Sequence, residues 1–186
     1  MREPGNNLIK AWSRDYNEPP FYFGQNFDKG SRLIAWTEEP EMIKAAFYRM
    51  LESMSEIVSV KIKICTEKTD DRKTIWTIYQ GDLSRNVAMN ATRKNENYVF
   101  SDGMHQLWVK DTEIKRYLVF EDHGVFNLYF PNSDDEELFR SLGFQKRFAN
   151  PIFSVPHFHC TANSSEVAEM KFVSEMGLKF VNANSD

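Results

Sequence analysis

Between residues 58 and 65 the chain alternates without a break. Val58, Val60, Ile62 and Ile64 are apolar, and Ser59, Lys61, Lys63 and Cys65 stand between them. A period of two is the spacing of a strand whose faces meet different surroundings. The segment therefore predicts a strand with one face in a core and the other turned to a polar environment. Any fold of this chain has to cover the first face, because a one-residue slip would turn the whole apolar set outward.

The flanking sequence offers the cover. Leu33, Ile34, Ala35 and Trp36 suit a short buried strand, and Pro40 stands where a helix accepts proline, next to Glu38, Glu39 and Glu41. Ile43, Phe47, Met50, Met54 and Ile57 then recur every three or four residues, which predicts one apolar helix stripe opposite Lys44, Arg49 and Glu52. After a turn over Thr66 to Lys73, a strand is expected from Thr74 to Tyr79, then a helix capped by Asp82 that carries Leu83, Val87 and Ala91. Tyr98 to Phe100 and Gln106 to Val109 flank Asp102-Gly103, a dipeptide suited to a tight hairpin. Residues 31–110 thus read strand, helix, strand, strand, helix, strand, the ferredoxin-like order.

The same order is readable a second time. Lys115 to Phe120 and Val125 to Phe130 predict a hairpin around His123-Gly124, and Ser133 with Glu136 forms a capping-box pattern before Leu138, Phe139 and Leu142. Gly143 followed by Phe144 predicts a left-handed helix stop with its apolar contact. Phe144 to Phe148 and Val155 to Cys160 read as strands, and Asn163 with Glu166 starts a last helix bearing Val167, Met170 and Val173, stopped by Gly177. The expectation is an α+β protein with an antiparallel or mixed sheet and helices. It is built as two ferredoxin-like βαββαβ units over 31–110 and 111–186, packed as one protein or joined as one continuous domain. Residues 1–30, broken by Pro4, Gly5, Pro19, Pro20, Gly24 and Gly30, are expected to form an irregular arm, with Phe21 and Phe23 laid against protein.

Charge and cysteine usage restrict the partners. A formal net charge of -4 gives no overall attraction to phosphate backbones or anionic lipid surfaces, which makes nucleic acid and membrane the less expected partners. Arg85, Arg93 and Lys94 still allow a local basic patch. Cys65 and Cys160 form neither a disulfide framework nor a CxxC motif, and the first twenty residues hold no apolar run behind a basic start. A cytoplasmic protein is the expectation.

The motifs with well-defined mechanics are missing: the phosphate-binding glycine loops, the GxSxG elbow and the HExxH helix do not occur. Ile78-Tyr79-Gln80-Gly81-Asp82-Leu83 resembles in outline the short aromatic strand motif of RNA-recognition modules, where a ring stacks on a base. The partner motif is absent from Lys115 to Phe120. The acidic run from Asp134 to Glu137 sits at a helix start, where the dipole stabilises carboxylates without any cation. His157 and His159 alternate on one strand face and, with His123 beside Glu121 and Asp122, are the residues from which a metal site would be assembled. Ordinary hydrogen bonding is the preferred account of such histidines, and neither a metal nor another cofactor is expected.

The functional expectation is therefore a non-catalytic binding or regulatory domain that recognises a protein or a small ligand through a sheet face or the aromatic N-terminal arm, either alone or as a homo-oligomer. The alternatives are an RNA-binding module using Tyr79 and a metal-assisted enzyme using His157 and His159.

Overall fold

The computed structural model describes residues 19–37, 39–68, 74–101, 104–121, 124–148 and 165–185. In chain order the elements are β1 (Phe21–Phe27), β2 (Gly30–Trp36), α1 (Pro40–Glu52), β3 (Ile57–Lys68), β4 (Thr74–Ser84), α2 (Arg85–Lys94), α3 (Glu96–Ser101), β5 (His105–Asp111), β6 (Tyr117–Phe120), β7 (Phe126–Tyr129), α4 (Asp135–Ser141), β8 (Gln145–Lys146), α5 (Ser165–Met176) and β9 (Lys179–Ser185). The nine strands form one mixed sheet in the order β8-β1-β2-β7-β6-β5-β3-β4-β9. The β1–β8 pair is parallel, and the pairs from β1 through to β9 are antiparallel.

The alternation in β3 organises this sheet. Val58, Val60, Ile62 and Ile64 are buried in one core with Leu107 and Val109 of β5 and Leu118 and Phe120 of β6. All five helices contribute to that core: Phe47 and Met50 from α1, Ala88 and Ala91 from α2, Val99 from α3, Phe139 from α4, and Phe172 and Val173 from α5. The helices therefore form a layer on one side of the sheet, the two-layer arrangement in which each element buries its apolar side. No helix among the described residues is long and apolar enough to cross a membrane.

Two helix ends follow the sequence expectation in detail. The Phe144 N–H reaches the Phe139 carbonyl at 3.0 Å and the Gly143 N–H reaches that of Arg140 at 3.0 Å, with Gly143 at φ 93°. Gly177, at φ 66°, repeats the motif: Leu178 donates to Val173 at 3.1 Å and Gly177 to Ser174 at 3.0 Å. These are Schellman endings, in which a left-handed glycine lets two orphan carbonyls find donors.

Other expectations are corrected. Residues 21–27 of the expected irregular arm form β1, in register with β2 across the two-residue turn Asp28-Lys29. Phe21 and Phe23 do lie against protein, as expected, buried with Ile34, Trp36 and Val125. Tyr98 to Phe100 is helical rather than extended; all three side chains are buried together, and the Val99 N–H bonds the Asn95 carbonyl at 2.9 Å. β4 runs on to Ser84, so Leu83 pairs with Val58 as a strand residue and Ser84, not Asp82, caps α2 by accepting from the Val87 N–H at 3.3 Å. The buried face of α2 is consequently Ala88, Met89, Ala91 and Thr92, and Val87 is exposed. Likewise Ile57 opens β3 and is exposed, as are Val167 and Met170 on α5. At α4 the expected Ser133 cap is replaced by Asn132, whose Oδ1 accepts from the N–H groups of Asp134 and Asp135.

The ferredoxin-like units are not confirmed. With Tyr98 to Phe100 helical, β5 pairs with β3, and the β6–β7 hairpin is inserted between β5 and β2. Strands from both halves of the chain thus share one sheet.

Two buried carboxylates fix the loop between β5 and β6. Asp111 accepts from the Ser55 N–H at 2.9 Å, the Ser55 hydroxyl at 2.7 Å, and the N–H groups of Glu113 and Ile114 at 2.9 and 3.2 Å. Arg116, at the loop's end, pairs with Asp135 of α4 and donates to the Ser53 hydroxyl at 3.0 Å, so α1, the loop and α4 meet at one buried guanidinium. For the Asp111 carboxyl, burial favours the protonated form, but the Ser55, Glu113 and Ile114 donors outweigh it and leave its pKa below the ordinary 3.8.

A native pKa below the unfolded one means that Asp111 stabilises the fold fully above the ordinary carboxylate value. That contribution is lost as pH falls through the lower native value. Asp111→Asn is expected to cost about 1.5–3 kcal/mol near neutral pH, the range for hydrogen bonds to a charged group, and progressively less in acid. Urea titrations of both proteins from pH 7 down to about pH 3, across the usual carboxylate range, check this; a difference independent of pH would show that the charge plays no part.

Candidate binding face

The alternation that buries the valines of β3 turns Lys61 and Lys63 to the other side of the sheet, where no helix packs among the described residues. Strand register extends this side into rows. One row runs Gln25, Arg32, Tyr129, Tyr117, Lys110, Ser59 and Asp82 across seven strands. The next runs Phe23, Ile34, Asn127, Val119, Trp108, Lys61 and Gln80; its first four residues are buried, and the part from Trp108 to Gln80 is the accessible one. Lys63 follows Lys61 along β3, opposite Gln106. At the β1 end this side is closed by the small apolar cluster of Phe21, Phe23, Ile34, Trp36 and Val125.

Between that cluster and β4, cations and rings interleave. Lys61 Nζ lies 4.7 Å from the centroid of Trp108, Arg32 Cζ 5.5 Å from Tyr129, Lys110 Nζ 5.8 Å from Tyr117 and Lys63 Nζ 4.8 Å from Trp76. Trp108 and Tyr129 stack at 6.2 Å with planes 17° apart, and Tyr129 continues to Phe27 at 6.0 Å. Arg32 is held in place by donating Nη1 to the Tyr129 hydroxyl at 2.8 Å and Nε to Gln25 Oε1 at 2.8 Å. A further pair, Arg93 with Tyr48, lies on the helix side.

The rim of the face is strained. Phe130 adopts φ 54°, a left-handed backbone costly for a bulky residue, and its ring occupies the space a side chain at residue 30 would need: a Cβ on Gly30 would lie 2.3 Å from the ring. So placed, Phe130 receives Lys115 Nζ at 4.1 Å and touches the rings of Phe27 and Tyr117 at 6.0 Å each. In the second row Asn127 is fully buried and its amide meets no hydrogen-bond partner among the described residues, an arrangement that costs the fold about 1–3 kcal/mol.

The electrostatics are one-sided. The two rows hold three cations, Arg32, Lys61 and Lys110, and the single carboxylate of Asp82; Lys63 and Lys115 lie beside them, as does Glu121 at the end of β6, on a chain whose formal net charge is -4. Arg32, Lys61, Lys110 and Lys115 have no carboxylate partner among the described residues. Burial pushes the Lys61 ammonium below its ordinary 10.5, and Lys63 beside it adds to the effect.

No family model, curated protein or solved structure matches the chain.

Of the residues singled out from sequence, Tyr79 lies on the helix side: it pairs with Ile62, packs against the main core, and points its hydroxyl at Met170 Sδ, 3.9 Å away. It is therefore not part of the cationic face. His123, His157 and His159 lie outside the described residues, and the described residues contain no cluster of three or more histidine, cysteine or carboxylate groups fit to hold a metal ion. Arg85 is engaged structurally, donating Nη1 to the Glu52 and Met54 carbonyls. The sequence reading missed Arg32, Trp108, Tyr129 and Phe130. The signal was present in part, since Lys61 and Lys63 are the polar half of the alternation, but their aromatic neighbours come from β5 and β7 and are joined to them only by pairing.

The lowered Lys61 value has a direct readout. A lower pKa raises the neutral, nucleophilic fraction at any pH below it, so acetylation of Lys61 followed by mass spectrometry is expected to reach its half-maximal rate at a lower pH than that of an ordinary lysine. A midpoint at or above the ordinary value would show that Lys61 is hydrated or paired with an anion of the protein.

Proposed function

We propose that this chain is a non-catalytic binding domain and that the helix-free side of the sheet is where it takes an anionic ligand. One observation carries the reading: five cations are gathered on one face of a net-acidic protein, and four of them lack a carboxylate partner among the described residues. Unpaired cations held side by side repel one another and, where half-buried, also lose hydration. A fold keeps such an arrangement at a cost to stability, and an arriving anion removes that cost. Rings beneath the cations keep them desolvated on one side and in fixed positions, which strengthens their attraction for a ligand's negative charge.

The reading commits the domain to recognition rather than to chemistry. Its expected partners are small or polymeric anions, with protein partners entering through acidic segments. Tyr79 and the three histidines do not enter it.

Inorganic polyphosphate is a suitable first probe, because it offers charge and nothing else. Binding in the range of about 1–100 μM is expected near physiological salt, weakening steeply as salt is raised. The Arg32→Glu, Lys61→Glu double variant is expected to lose at least about tenfold, which is about 1.4 kcal/mol. Arg49→Glu, on the exposed side of α1, serves as the control and should change affinity little. Equal losses for the two proteins, or none, would contradict the reading.

A further inference from the structure

We infer that the ligand of this face is a single-stranded nucleic acid, whose phosphates meet Arg32, Lys61 and Lys110 and whose bases stack on Trp108, Tyr129 and Phe27. This rests on the reading of the face as an anion-binding surface and adds the part played by the rings.

A surface built only for phosphate needs cations and hydrogen-bond donors. Here cations and rings alternate within a row and between rows: Lys110 beside Tyr117, Arg32 beside Tyr129, and Lys61 beside Trp108. That mixture suits a polymer that alternates charged and planar groups, and proteins that hold single strands combine a cationic track with stacking rings in the same way. The spacing agrees. Trp108, Tyr129 and Phe27 follow one another at 6.2 and 6.0 Å, and adjacent strands advance by about 4.8 Å, so cations three or four strands apart span a few extended nucleotides. A duplex fits less well, because its bases are already stacked and withdrawn from a flat surface.

Magnitudes favour exchange of partners on binding. A lysine lying on an exposed ring gains about 0.5–1 kcal/mol, and a base stacked on the same ring is worth about 1–3 kcal/mol. Lys61 and Lys110 therefore leave their rings for phosphate as bases take the rings. Phe27, at 39% exposed, is the most open of the three platforms. An anionic membrane would also meet the cations, but it offers no planar group to the rings.

The test measures a fluorescein-labelled oligothymidylate of about 12 nucleotides, within the span of a single binding module, by anisotropy. Unlabelled polyphosphate, a duplex of equal length, and vesicles of phosphatidylserine in phosphatidylcholine are measured beside it. The wild-type protein is expected to bind the single strand with tryptophan quenching and to prefer it to the duplex. Trp108→Leu is expected to weaken oligothymidylate by between about 5-fold and 150-fold, the worth of one stacked base, while leaving polyphosphate unchanged. Phe27→Ala, at a more exposed site, should do the same in smaller measure and guards against a Trp108 variant that fails to fold.

If both ring variants lower oligothymidylate and polyphosphate equally, or lower neither, the rings do not stack on bases; the inference falls and the anion-binding reading stands. Vesicle binding without oligonucleotide binding overturns the inference in favour of a lipid surface. Failure to bind polyphosphate, oligonucleotide and vesicles alike removes both.

Discussion

The structure depends on β3 having two unlike faces. Its four apolar side chains require a cover, and five helices supply one; its two lysines then fall on the other side by geometry alone. Because β3 lies between β4 and β5, the same division is imposed on its neighbours, with Leu107 and Val109 under the helices and Trp108 and Lys110 opposite. Core and candidate binding face are thus one pattern seen from two sides. A substitution that slipped this register would destroy both together.

A second layer of control comes from polar groups at the sheet's end. Asp111 gathers four donors around the start of the β5–β6 loop, and Arg116 closes it against Asp135 and Ser53. Breaking a buried pair by removing one partner typically costs about 3–5 kcal/mol, since the other charge is left stranded. Here the pair also sets the entry of β6, and through it the place of Tyr117 and the neighbouring Phe130 ring. Gly30 completes the arrangement from the β1–β2 hairpin, where the absence of a side chain admits that ring. Parts of the chain about a hundred residues apart therefore cooperate in shaping the rim of one face.

How much of this was legible in the sequence depended on whether local spacing or pairing decided it. The buried set of β3, the α1 stripe through Met54 and the two glycine stops are local patterns, and they appear as read. The Tyr98 to Phe100 run fits a strand or a buried helix equally well, and only its packing against Phe47 and Phe172 decides for the helix. Asp82 and Ser84 are both competent caps, and the extension of β4 along β3 selected the later one. The order of strands was beyond reach, since nothing in the hairpin of β6 and β7 announces that it will stand between β5 and β2. The candidate face was hidden for the same reason: Arg32, Tyr129, Trp108 and Lys61 are scattered over about a hundred residues, and pairing alone makes them neighbours. The net charge of -4 is a sum over the whole chain and carries no information on how the cations of these strands are grouped.

The central claim is that ligand is taken on the helix-free side of this sheet, and the most direct measurement is the map of amide shifts in a nitrogen-15 correlation spectrum as an oligothymidylate is titrated in. The account predicts that the perturbed amides fall on Arg32, Lys61, Trp108, Lys110 and Tyr129 and on their immediate strand neighbours, with the exposed turns of α1 and α5 unmoved. Shifts concentrated on α1, α2 or α5, with those strands silent, would contradict it.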